Sequence, residues 1–216
     1  MAQLFRPEAN ARFRVGIIVA LPAAIGAVGV VFAYNHSDSA WDVGQTVSQP
    51  IPFRHDIHAG QLGVDCRYCH NSVERASFAG MPSAQTCMTC HSQVLAGASV
   101  LEPVRTSLAL DQPIIWNSIH QLPSYARFHH GIHVSKGVAC ETCHGEVWTM
   151  AQTRKVETMS MGWCLDCHRN PAPYLRPPEA VHAIGWTPDN PAELINLLKA
   201  YNIATERLTN CSTCHY

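Results

Sequence analysis

Charge, aromatic rings and unpaired cysteines are all scarce in this chain, and each shortage removes a class of function. Asp, Glu, Lys and Arg make up 14% of the 216 residues and nearly cancel, leaving a formal net charge of −1. With no basic surplus there is no electrostatic footprint for nucleic acid. Aromatic residues account for only 8%, so a core of ordinary side chains would be thin, and buried apolar surface has to come from elsewhere. No cysteine stands apart: all ten fall in five Cys-x-x-Cys-His motifs. Zinc knuckles or a disulfide framework would explain paired cysteines. Neither explains a histidine after the second cysteine every time. No grouping of acid, base and nucleophile suggests a catalytic centre, so no catalytic residue is assigned.

The motifs are Cys66–His70, Cys87–His91, Cys140–His144, Cys164–His168 and Cys211–His215. Cys-x-x-Cys-His is the attachment signature of c-type haem. Two thiols three residues apart can bond to the two vinyl groups of one porphyrin, and the adjacent histidine then lies under the iron. The ten thiols Cys66, Cys69, Cys87, Cys90, Cys140, Cys143, Cys164, Cys167, Cys211 and Cys214 are thus expected to hold five covalently bound haem c groups. His70, His91, His144, His168 and His215 become the proximal metal ligands. Five porphyrins also supply the missing apolar surface. A mostly irregular and α-helical fold is expected, with little regular secondary structure and short helices carrying the motifs.

Two stretches match each other. Phe53, His55 and His58 precede the first motif as Phe128, His130 and His133 precede the third, each in the pattern Phe-x-His-x-Ile-His. Each is followed by two haem motifs, which makes residues 53–91 and 128–168 two dihaem units of an internal duplication. The sixth position on iron decides function: filled, the iron exchanges electrons; open, it can bind a small molecule. Four distal ligands are expected from the repeat, His55, His58, His130 and His133, because a His-x-x-His pair presents both imidazoles to one side. For the fifth, His120 is chosen because it follows the apolar run Ile114, Ile115, Trp116 and Ile119. His129, His182, Met81, Met159 and Met161 are the alternatives, and His36 reads as a solvated residue.

Residues 1–15 carry Arg6, Arg12 and Arg14 against a lone Glu8. Residues 16–34 then run for nineteen positions without a charge, enough to span a bilayer core. The arginines before this run and Asp38 and Asp42 after it orient residues 1–15 to the cytoplasm. A cleaved signal peptide is the competing reading, but its apolar region is shorter, so an uncleaved single-pass anchor is expected. Residues 35–52 read as a polar linker and residues 53–216 as a periplasmic pentahaem domain. Near the C-terminus, Asp189 or Asn190 and Pro191 predict a short helix with Leu194, Ile195, Leu197, Leu198 and Tyr201 on one apolar face. The motif at 211–215 has little following sequence to cover it, which suggests contact with another subunit.

The Phe-x-His-x-x-His stretches ahead of Cys-x-x-Cys-His resemble class III multihaem cytochromes c. The whole pattern is more specific: an N-terminal anchor, HDIHAGQLGVDCRYCH, IHQLPSYARFHHGIHVSKGVACETCHG, MGWCLDCHR and the ending LTNCSTCH. It is similar to the pentahaem, membrane-anchored subunit of bacterial alternative complex III, over nearly the whole chain. That resemblance implies an electron carrier rather than an enzyme. It also implies a place in the bacterial cytoplasmic membrane beside an integral quinol-binding subunit and an iron–sulfur subunit. A monohaem cytochrome c or a terminal oxidase would then take the electrons. A self-sufficient anchored quinol dehydrogenase and a multihaem reductase are the rival readings.

Overall fold

The computed structural model describes residues 6–215, which fall into two compact units that divide between Asp42 and Val43. In the first unit, helix α1 (Pro7–Asn35) runs without interruption through Pro22. At 1.5 Å per residue its 29 residues measure about 43 Å, and an 18-residue window within Glu8–Asn35 has a mean hydropathy of 2.5. By length and composition this helix can cross a membrane, and its apolar side chains, Ile18, Val28 and Val30 among them, are exposed. Two features stop it. His36 turns its ring back, with Nδ1 2.8 Å from the Phe32 carbonyl. Trp41, in a 3-10 turn at Asp38–Trp41, donates its indole N–H to the Asn35 carbonyl at 2.9 Å.

In the second unit the described residues contain no strand, only three isolated bridges: Thr46 with Arg154, Ala126 with His215, and Val138 with Leu175. Eight short helices follow in order: α2 (Cys66–Cys69), α3 (Ala84–His91), α4 (Glu102–Leu110), α5 (His130–Ser135), α6 (Cys140–His144), α7 (Met161–Arg169), α8 (Leu194–Ala200) and α9 (Cys211–Cys214). All five Cys-x-x-Cys-His motifs begin on one of them. Local sequence explains several starts. Asp65 accepts from the Arg67 N–H, Ser83 from Thr86 and Ser160 from Trp163, which satisfies otherwise orphaned donors in the first turn.

The expected linker, residues 35–52, divides between the units. Its second half is fastened to the second unit: Gly44 N–H donates to the Lys155 carbonyl at 2.7 Å, and Gln49 and Asn117 exchange hydrogen bonds. The expected C-terminal helix forms as α8 after a 3-10 turn at Pro191–Glu193, with Asn190 as cap. One residue differs. Ile195 is 61% exposed while Leu194 is buried, because the inward stripe follows 194, 197, 198 and 201 and leaves 195 about 100° off it.

The hydrophobic core is small. One cluster joins Ile51, Ala84, Leu101 and Val104, with Cys87, Met88, Ile114 and Trp116 packed on it. The connector between the dihaem units therefore covers the second motif, as its apolar run suggests. At the other end α8 is tied down through Tyr201, whose hydroxyl donates to the Arg176 carbonyl at 2.7 Å. Gly137 sits beneath that contact with φ +85°, and a Cβ there would lie 2.8 Å from the Arg176 oxygen and 2.5 Å from the Tyr201 ring. Gly137→Ala is expected to cost about 2 kcal/mol or more, read as a lower midpoint of thermal unfolding.

Candidate haem-binding site

On a helical turn the two cysteines of Cys-x-x-Cys-His stand at i and i+3 and the histidine at i+4, so all three share a face. What the sequence leaves open is how each imidazole is oriented. In the structure the answer is a set of carbonyl anchors. His70 Nδ1 lies 2.7 Å from the Gly80 carbonyl, His91 Nδ1 2.9 Å from Val94 and His168 Nδ1 2.9 Å from Leu208. A carbonyl only accepts, so Nδ1 must carry the proton, and the neutral ring presents the lone pair of Nε2.

The duplicated stretches repeat this in detail. His58 Nδ1 is 2.9 Å from the Arg54 carbonyl, and His133 Nδ1 is 2.9 Å from the carbonyl of His129, the repeat equivalent of Arg54. Phe53 stands edge-on to His55 at 4.9 Å and stacks on His58 at 4.3 Å. Phe128 does the same to His130 at 4.7 Å and His133 at 4.6 Å. The two units also hold each other's ligands. His130 Nδ1 is anchored 2.7 Å from the Ser77 carbonyl of the first unit, and His55 Nδ1 meets Thr153 Oγ1 of the second at 2.9 Å.

Three proximal rings each face a distal candidate across a similar gap: His58 and His91 at 6.1 Å, His130 and His144 at 6.3 Å, His133 and His168 at 6.2 Å between ring centres. Two metal–imidazole bonds of about 2 Å, with each ring centre about 1.1 Å behind its nitrogen, add up to roughly 6.2 Å. The donor set and its spacing therefore fit an iron between each pair. By the same correspondence His55, the equivalent of His130, is matched with His70 as His130 is with His144. Burial pushes His55 down to about 4 and His144 down to about 3, so both imidazoles are neutral, the form that binds metal.

The remaining candidates are placed differently. His120 lies edge-on to His144 at 4.4 Å, too near for an iron between them, and its Nε2 is buried without a partner. Burial also lowers it to about 4. His215 stacks on the ring of Tyr125 at 5.9 Å. His129 caps α5 by accepting from the Ile132 N–H, and His182 Nε2 is 3.0 Å from Glu74. Met81 and Met161 are exposed, and Met159 is half-buried with φ +53°.

The motifs touch in a definite order. Tyr68 beside the first and Thr89 in the second share a hydrogen bond at 2.6 Å. The Cys66 and Cys140 thiols of the first and third act on each other, which draws Cys66 down to about 7 and pushes Cys140 up. Burial pushes Cys143 up to about 12, with the fourth motif's Cys167 and Cys164 adding to it. His168 of the fourth is anchored on Leu208 just before the fifth. The sequence in space is second, first, third, fourth, fifth. Cys90 and Cys211, from the two outer motifs, are exposed, whereas the other eight cysteines are half-buried.

Five thiol pairs on helical turns, each with a histidine, and imidazoles paired across metal-sized gaps define a multihaem cytochrome c. Comparison with known families agrees: the family described as cytochrome c7 and related cytochrome c matches residues 51–104 and 126–216. The chain belongs to that family, whose haems are covalently bound and whose role is electron transfer. It is also similar to the multihaem cytochrome c subunit of menaquinone reductase from Nitratidesulfovibrio vulgaris (strain Hildenborough). The two are 27% identical over 169 residues, covering 77% of this chain and 67% of that protein. His120 lies between the two matched segments, while all the other histidines proposed as ligands lie inside them.

Sequence reasoning missed Thr153, Ser77, Gly80, Val94 and Leu208, which act through a hydroxyl or a carbonyl and so leave no residue-type signal. Gly131 is the exception, since it stands between His130 and His133 in the repeat. Its N–H donates to Ala76 at 3.1 Å, and a Cβ there would meet Glu74 and Arg75 backbone at 2.7–2.9 Å. Gly131→Ala is expected to lift α5 off the first unit and cost about 1–3 kcal/mol. Thermal unfolding should show the loss, and the haem spectrum should change through displaced His130 and His133.

Proposed function

We propose that this chain is the electron-transfer subunit of a membrane-bound quinol-oxidising complex of the alternative complex III type. In this reading it carries five haem c groups, anchored by residues 16–34 with the haem domain, residues 53–216, on the periplasmic side. An iron–sulfur subunit and an integral quinol-binding subunit supply electrons, and a periplasmic cytochrome or terminal oxidase accepts them. The observation that supports the reading is the set of three imidazole pairs at 6.1–6.3 Å, each of which would fill both axial positions of one iron.

The ten motif cysteines would fix the porphyrins. His70, His91, His144, His168 and His215 would serve as proximal ligands, and His55, His58, His130 and His133 as distal ones. His120, with its buried unpartnered Nε2, would complete the distal set. Bound haem supplies a one-electron iron couple whose potential follows from its axial ligands, nearby hydrogen bonds and burial. The carbonyls on Nδ1 hold each ring in one tautomer and raise the basicity of Nε2. The outer motifs, the second and fifth, expose Cys90 and Cys211 and so suit entry and exit.

A second reading has one observation behind it. The relative from Nitratidesulfovibrio vulgaris belongs to a complex named for reducing a quinone. The same relay would then deliver electrons toward the membrane rather than away from it.

Two experiments test the proposal. Purification of the tagged full-length chain from its native membrane should bring down an iron–sulfur protein and an integral membrane subunit, and added quinol should reduce the haems. Reduction of the haems by a soluble donor, followed by conversion of quinone to quinol, would favour the second reading. Recovery of the chain alone, with its haems still reduced by quinol, would support a self-sufficient quinol dehydrogenase. His58→Ala is expected to leave one sixth position open, converting one haem from low-spin to high-spin with new carbon monoxide binding. A fully low-spin spectrum in that variant would remove His58 from the ligand set.

A further inference from the structure

The segment from Arg154 to Glu157 serves no ligand role above, yet it runs along the third motif. Val156 fills the space beside Gly145, where an added Cβ would meet its methyl at 2.9 Å. The charge of Glu157 reaches Cys143, and that of Lys155 reaches His120, whose ring touches His144. The backbone is held in place by the Thr46–Arg154 bridge and by the Gly44 N–H on the Lys155 carbonyl at 2.7 Å.

Lys155 itself is only 8% exposed, and among the described residues its ammonium makes no hydrogen bond or ion pair. The other buried cation differs. Arg176 is ion-paired with Glu141, donates to the Ala183 carbonyl at 2.7 Å and lies over the Trp186 ring at 5.3 Å. The Lys155 stem is buried while its ammonium keeps access to solvent, so the cation is held in place and free to meet an anion. Every haem brings two propionate carboxylates, and the segment that holds Lys155 packs on the third motif through Val156 and Gly145.

We propose that Lys155 is the counter-ion of a propionate of the haem held by Cys140, Cys143 and His144. The assignment rests on the haem-binding reading above. A cation fixed beside a porphyrin favours the reduced iron, which carries one positive charge fewer. Removing it therefore lowers that haem's potential and leaves the others in place.

The test is a redox titration of the full-length, membrane-extracted protein and of Lys155→Met, Lys155→Gln and Lys155→Arg, each with its haem content measured. The Met and Gln variants should retain all haems, with one component moved about tenfold toward the oxidised form at fixed potential, which is about 59 mV. The Arg variant should titrate like the parent, and the propionate bending band in the resonance Raman spectrum should shift in Met and Gln alone. Should the Met variant fail to mature, Gln against Arg gives the same comparison. Unchanged components in Met or Gln variants with full haem content would overturn the proposal. A parent protein without haem on Cys140 and Cys143 would instead overturn the reading on which it rests.

Discussion

A hydrogen bond from imidazole Nδ1 to a backbone carbonyl is the contact on which the arrangement of this protein turns. It recurs at His58, His70, His91, His130, His133 and His168. Each bond fixes a tautomer, aims a lone pair and ties a candidate iron ligand to a particular stretch of chain. Because those stretches are often distant in sequence, the same bonds act as tertiary structure. His130 on Ser77 joins the second dihaem unit to the first, and His168 on Leu208 brings in the segment before the fifth motif. A chain with so few buried apolar side chains holds its shape partly through the groups it needs for electron transfer.

Much of this was legible beforehand, because covalent chemistry leaves a pattern in residue identity. Cys-x-x-Cys-His marks the thiols and histidines proposed as attachment points and proximal ligands, and the duplicated Phe-x-His-x-Ile-His marks those proposed as distal ligands. The structure adds a reason for the phenylalanines, which stack on the second histidine and stand edge-on to the first in both units. The repeat also separated His130 from its neighbour His129, which turns out to be a helix cap and to accept from His133 through its carbonyl.

What stayed hidden depends on main-chain atoms or on tertiary packing. Any residue can offer a carbonyl, so Gly80, Val94 and Leu208 had no signature. The polar stretch 35–52 has the composition of a tether, but Gly44, Ser48 and Gln49 find backbone and amide partners near Lys155 and Asn117. Ile195 shows the limit of counting apolar residues on a short helix, since a single 100° step carries a side chain from the core to the surface. The order in which motifs touch likewise follows from contacts such as Tyr68 with Thr89, between residues with no pairing signal in the sequence.

The most direct test of paired axial histidines is an electron paramagnetic resonance spectrum of the oxidised, membrane-extracted protein, taken with its haem content. The proposed axial set, three of whose pairs face each other at 6.1–6.3 Å, predicts five haems, all low-spin, with no change on adding carbon monoxide to the reduced protein. A substantial high-spin signal from an intact five-haem preparation would contradict the account and would place an open iron, and hence substrate chemistry, within this chain.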